Sequence, residues 1–135
     1  MIQQEKCIVI DIDGTLCAEK QSDESYESLR PIERVLQTLR AYKQDGFYII
    51  LFTARNMRTH EGNVGRILAN SAPILLDWLK RNDVPFDELH FGKPWQGRGG
   101  FYVDDKAIRP SEFVALNYSE ITELLMREKF EEAAG

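Results

Sequence analysis

Residues 8–16 read Ile8-Val9-Ile10-Asp11-Ile12-Asp13-Gly14-Thr15-Leu16, a run of β-branched apolar residues that ends on two aspartates and then a glycine. A buried strand of Val and Ile gains stability from packing, whereas an ionised carboxylate carried into that interior loses hydration and needs a compensating partner. The pair of aspartates therefore marks a site at the end of a strand. Gly14 permits the sharp exit from it.

Working outward, residues 7–10 form the first predicted strand. Pro31 sits where a first helical turn tolerates proline, and Ile32, Val35, Leu36, Leu39 and Tyr42 recur at helical spacing until Asp45-Gly46 stops them. Residues 47–52 are a second continuous apolar strand that stops at Thr53. A longer helical region interrupted at Pro73, with Ile74, Trp78 and Leu79 on one stripe, precedes a short strand around Leu89-His90-Phe91 and a fourth at residues 100–103. Residues 112–116 suit either a fifth strand or a helical turn. Ser119 suits the N-cap of a last helix carrying Ile121, Leu124 and Leu125. Continuous rather than alternating hydrophobicity implies strands covered on both faces. The expected fold is a doubly wound, three-layer α/β/α, Rossmann-like domain with a mostly parallel central sheet, one domain over residues 1–135.

Composition excludes several classes. At 135 residues, 43% hydrophobic and 29% charged, the chain has the balance of a globular domain that needs no disulfide or structural metal. No apolar run is long enough to cross a bilayer, and the start lacks the basic and small-residue pattern of a secretory signal, so a cytoplasmic protein is expected. Cys7 and Cys17 have no C-x-x-C spacing and read as reduced thiols. A net charge of −5 argues against a general nucleic-acid binder, which needs a basic face.

The polar residues that end each predicted strand are Asp11 and Asp13, then Thr53 and Arg55, then Lys93, then Asp104 and Asp105. In an open parallel sheet, ligands bind outside the carboxyl ends of the strands, so these residues are expected in one crevice. Clustered carboxylates repel one another unless a cation sits among them, and an all-oxygen set suits Mg²⁺ better than zinc. Lys93 adds a positive charge and Thr53 a hydroxyl, a combination that receives a phosphoryl group. Arg55, Arg58, Arg66 and Arg98 concentrate positive charge in the loops beyond Thr53 and Lys93, Arg55 being the first candidate to contact an anionic substrate. Asn56 and His60 share the first of these loops as further candidates. His90 reads as structural and Trp78 as core, and Trp95 suits either the pocket lining or the packing beneath it.

At these residues the chain resembles the haloacid dehalogenase superfamily of phosphotransferases. DIDGTL is similar to the family's first motif, Thr53 in LFTAR to its second, Lys93 in FGKPW to its third, and YVDD to its fourth, in order and over nearly the whole chain. The longer strings TARNMRTHEGNVG, GKPW and FYVDDKAIRPSEF resemble small bacterial phosphatases of capsule or surface-polysaccharide biosynthesis. The resemblance implies that Asp11 is a nucleophile forming an aspartyl phosphate. Asp13 would protonate the leaving alcohol and later deprotonate water, which asks for a pKa above the unperturbed ~3.9. Thr53 would bind a phosphoryl oxygen and Lys93 would offset its charge, with backbone N–H groups near Gly14 facing the phosphate. Asp11, the carbonyl of Asp13, Asp104 and Asp105 would hold Mg²⁺.

Many family members carry a cap domain, for which residues 16–30 are too short and polar and residues 56–91 too occupied by predicted elements. The implied enzyme is capless. Its site is open unless a homo-oligomer or the flap of residues 17–28 closes it. Its implied substrate is a small phosphorylated sugar or sugar acid. A polynucleotide 3′-phosphatase and a non-enzymatic phosphoaspartate receiver module are the alternatives; a receiver keeps its phosphoacceptor on a later strand than its acidic pair.

Overall fold

β1 (Cys7–Asp11) and β2 (Tyr48–Thr53) pair in parallel, from Cys7 opposite Tyr48 to Asp11 opposite Phe52. β3 (Glu88–Phe91) adds to the far side of β2, from Ile50 opposite Glu88 to Thr53 opposite Phe91. Parallel neighbours need a crossover. α1 (Glu33–Gln44) supplies the first, and α2 (Val64–Asn70) with α3 (Ala72–Arg81) supplies the second. The three strands lie in the order β1-β2-β3, so the chain is a mixed α/β protein with a parallel sheet. This computed structural model describes residues 6–104 and 106–128, and the chain divides into two compact units after Trp95.

In the first unit, period-2 alternation along β2 turns Ile49, Leu51 and Thr53 to one face, where all three are buried. α1 buries Val35, Leu36 and Leu39, and α3 buries Leu75, Trp78 and Leu79. Trp78 is core as expected, and its Nε1–H donates to the Leu29 carbonyl at 2.7 Å. That bond satisfies the one polar atom of a large buried ring. Of the expected stripe, Trp78 and Leu79 are buried, and Leu75 takes the place of Ile74, which is 37% exposed. The break between α2 and α3 falls at Ser71, and Pro73 sits in the first turn of α3, where its missing N–H is harmless.

The second unit contains α4 (Pro110–Ala115) and α5 (Tyr118–Arg127). Residues 112–116, left between strand and helix, fall largely within α4, with Leu116 as its C-cap. The N-cap of α5 is Asn117 rather than Ser119. Asn117 Oδ1 accepts the Glu120 N–H at 2.8 Å, and Glu120 Oε1 accepts the Asn117 N–H at 2.9 Å, a reciprocal pair that Ser119 does not make. Residues 100–103 are not a strand, contrary to expectation; Phe101 and Val103 are 80% and 88% exposed. Phe101, Tyr102 and Val103, three residues after a Gly-rich stretch, carry β-propensity, but propensity forms a strand only where a partner completes the ladder. Among the described residues no helix is long and apolar enough to cross a membrane.

Candidate active site

β1 ends on Asp11, half-buried, and the chain then folds tightly around the carbonyl of Ile12, which accepts N–H bonds from Leu16 at 2.9 Å and Cys17 at 3.1 Å. Gly14 takes a φ of 88° in this turn, a left-handed conformation that an L side chain resists. Its N–H donates to the Cys17 carbonyl at 2.7 Å. The contribution of Gly14 is thus the shape of the turn, and its amide is engaged within it.

The end of β2 lies beside this turn. Thr53, fully buried, donates its hydroxyl to Asp13 Oδ2 at 2.9 Å and accepts the Arg55 N–H at 2.9 Å. Arg55 is only 5% exposed, and its guanidinium bonds Asp13 Oδ1 through Nη2 at 2.7 Å and Oδ2 through Nε at 3.4 Å. Both Asp13 oxygens accept hydrogen bonds, the arrangement of a paired carboxylate. β3 delivers the third group: the Lys93 N–H donates to the Thr53 carbonyl at 3.2 Å, and Lys93 Nζ lies 3.4 Å from Asp11 Oδ1 and 4.3 Å from the centre of the Phe52 ring. Asp11, Asp13, Thr53 and Lys93 therefore meet at the ends of three parallel strands.

The electrostatics follow from this packing. Burial pushes the Asp11 carboxyl above its ordinary value, Lys93 pulls it down by charge and hydrogen bond, Asp13 pushes it up, and the Ile12 amide pulls it down; the net direction is upward. Burial and the neighbouring Asp13 charge also push the Cys17 thiol up to about 12, which leaves it inert.

The remaining candidates separate. Asn56 has a φ of 62° and accepts the Ser71 hydroxyl on Oδ1 at 2.6 Å, which fixes the loop onto the start of α3. Arg58 lies over the Trp95 ring at 5.4 Å, and Trp95 is 43% exposed rather than packed underneath. His60 is half-buried and closes the loop through its backbone, donating to Asn56 and accepting from Asn63. Arg66 and Arg98 are exposed. His90 is on the sheet as expected, paired with Glu88 at 2.7 Å. Two participants had no foothold in the sequence reading: the Tyr26 ring, 4.0 Å from the Arg55 guanidinium, and the Phe52 ring under Lys93. The i, i+2 spacing of Thr53 and Arg55 would have hinted that both point the same way; nothing local marks Tyr26.

Asp104 belongs to the second unit, where its Oδ1 accepts the Lys106 N–H at 2.8 Å. Asp105 lies outside the described residues. Among the described residues no three His, Cys, Asp or Glu side chains are arranged to hold a metal ion. In the first unit the Asp11 carboxylate is half-buried and paired with Lys93, a hard oxygen donor of the kind Mg²⁺ takes, while the side chain of Asp13 is engaged by Thr53 and Arg55.

No family model and no curated protein matches the chain. Among solved structures, the crystal structure of a target protein from Vibrio cholerae is 49% identical in sequence, over 92% of this chain and 99% of that one, with a TM-score of 0.87. The two proteins belong to one family. Their shared α/β fold extends over almost the full length of the Vibrio cholerae chain.

Proposed function

We propose that this chain is a Mg²⁺-dependent phosphomonoester hydrolase, a small capless haloacid-dehalogenase-like phosphatase with a doubly wound three-layer fold, acting on a phosphorylated sugar or sugar acid of surface-polysaccharide biosynthesis. One observation carries the proposal: Lys93 Nζ lies 3.4 Å from Asp11 while Asp13, two residues on, is held separately by Thr53 and Arg55. Two neighbouring carboxylates in different surroundings are what a nucleophile and a separate proton carrier require.

In the reaction, a carboxylate oxygen of Asp11 attacks phosphorus as the bond from phosphorus to the alcohol oxygen breaks, leaving an aspartyl phosphate. Asp13 would give a proton to the departing oxygen, which requires that it first take one up in competition with its pairing to Arg55. Asp13 then takes a proton from water, and the water oxygen displaces Asp11 from phosphorus to release inorganic phosphate. Lys93 offsets the charge that builds as an anion approaches an anion, and Thr53 holds Asp13 in place. Mg²⁺, when bound, neutralises and orients the phosphoryl oxygens. Its holders in this reading are Asp11, the carbonyl of Asp13 and, on the resemblance alone, Asp104 and Asp105. Covalent transfer divides one slow hydrolysis into two easier steps.

The test is phosphate release from phosphosugars, phosphorylated sugar acids, nucleotides and 3′-phosphorylated oligonucleotides, with Mg²⁺ or EDTA, by wild type and Asp11→Asn. Release that needs Mg²⁺ and falls on the order of 10³-fold or more in Asp11→Asn supports the reading. Release that survives the substitution, or none from any compound, overturns it. A preference for the oligonucleotides, weakening steeply with salt, would select the polynucleotide substrate instead. A phosphoaspartate that persists without turnover would select the receiver module.

A further inference from the structure

Arg55 is a cation buried to 5% exposure, and its surroundings account for it in two parts. One edge of the guanidinium is bonded to Asp13, and one face is covered by the Tyr26 ring at 4.0 Å. Planar guanidinium suits both contacts at once, a fork on a carboxylate and a face on an aromatic ring. Tyr26 stands in a short 3₁₀ turn (Tyr26–Ser28) within the segment that follows the acidic turn. That segment is tied down at its ends: the Ile32 N–H donates to the Leu16 carbonyl at 2.7 Å, and Trp78 bonds the Leu29 carbonyl. Between them there are local polar contacts, such as Lys20 Nζ to the Glu24 carbonyl at 3.3 Å and the Gln21 N–H to Glu24 Oε1 at 2.8 Å, and one distant one, Arg81 Nη2 of α3 donating to the Glu27 carbonyl at 3.4 Å. Lys20 also lies 5.5 Å from the Tyr26 ring.

We infer that Tyr26 and Arg55 form a clamp in which the Tyr26 ring holds the Arg55 guanidinium on Asp13, so that both are positioning residues and Arg55 does not bind substrate. Three observations converge on it. Arg55 has its bonding edge turned to Asp13 rather than to solvent. The ring removes water from the face of the ion pair, which strengthens it. Tyr26 senses the same two groups, for burial first and then the charge of Asp13 push its hydroxyl above the ordinary value while Arg55 pulls it down. The clamp itself is independent of the proposed reaction; its effect on turnover rests on Asp13 being the proton carrier.

Two readouts separate these levels. Lys20 is the single Lys or Arg of residues 15–29, so the rate of tryptic cleavage after it reports the hold on the flap without any substrate. Tyr26→Leu is expected to be cleaved several-fold faster than wild type, and Tyr26→Phe, which keeps the ring, at the wild-type rate. With the best phosphoester, Tyr26→Leu is expected to lose about tenfold in kcat with KM within about twofold, and Tyr26→Phe to restore kcat. If Tyr26→Leu does not fold, Tyr26→Phe alone decides: faster cleavage or a comparable loss of kcat counts against a clamp made by the ring face. Unchanged cleavage in Tyr26→Leu overturns the clamp. A rise in KM at constant kcat overturns the positioning role and makes the pair a substrate contact. Because Lys20 itself lies over the Tyr26 ring, the clamp stands only if Arg55→Lys, which keeps that ring, is also cleaved faster. Faster cleavage of both variants in a protein that hydrolyses nothing keeps the clamp and removes the phosphatase. Faster cleavage of Tyr26→Leu alone overturns the clamp.

Discussion

Thr53 shows how much one side chain can decide. Its hydroxyl is fully buried, donates to Asp13 and accepts from the Arg55 amide, so a single oxygen joins the two sides of the candidate site. Thr53→Val keeps the shape and removes both bonds, leaving the Arg55 N–H without its acceptor in a buried position. Urea unfolding is expected to show a loss of about 1–3 kcal/mol, with Thr53→Ser close to wild type. A valine variant as stable as wild type would mean that the hydroxyl carries no structural role. The strand-end position of Asp11, Asp13, Thr53, Arg55, Lys93, Asp104 and Asp105 places all seven in one expected crevice; the first five meet, whereas Asp104 belongs to the second unit and Asp105 lies outside the described residues. Arg55 was expected to face the substrate. Its guanidinium is bonded to Asp13, a partner that its place after the strand does not by itself name.

At the scale of elements, β1, β2 and β3 lie within a residue of their expected positions, since apolar runs bounded by turn residues are a local property. What locks them is less local. Asp87, just before β3, accepts the Ile49 N–H of β2 at 2.8 Å and Lys43 Nζ of α1 at 2.7 Å, tying three elements together. Burial works to raise its carboxyl, but the Ile49 amide and then Lys43 outweigh it and hold it below the ordinary 3.8. The folded state thus keeps this carboxylate ionised at lower pH than the unfolded chain does. Its stabilisation is complete above 3.8 and is lost as pH falls through the depressed folded value. Asp87→Asn is expected to be less stable than wild type at neutral pH by no more than about 1 kcal/mol, the pair being partly exposed. That difference should shrink in acid, as urea midpoints at several pH values would show; a difference independent of pH would assign it to packing. The α5 cap and the missing fourth strand mark the opposite limit. A choice between Ser119 and Asn117 depends on which side chain reaches the N3 amide, and a ladder needs a partner that periodicity alone does not name.

At the scale of the whole molecule, a ligand that binds only the folded state raises the melting temperature by mass action. In the proposed reading Mg²⁺ is such a ligand, with Asp11 among its holders. Millimolar Mg²⁺ is expected to raise Tm in wild type, with EDTA reversing it, and to do so much less in Asp11→Asn. An undiminished shift in that variant would remove Asp11 from the metal site. Legible in the chain alone were the parallel α/β plan of β1 to β3, the core role of Trp78, and the strand-end turn where Gly14 follows two aspartates; each depends on period, propensity and turn chemistry over a few neighbouring residues. Tertiary structure alone decided who partners whom. Lys93 comes to Asp11, Arg55 turns to Asp13, and Tyr26 closes over Arg55, because segments tens of residues apart in sequence meet only when the crossovers fold back, and burial then forces every charge to find a partner.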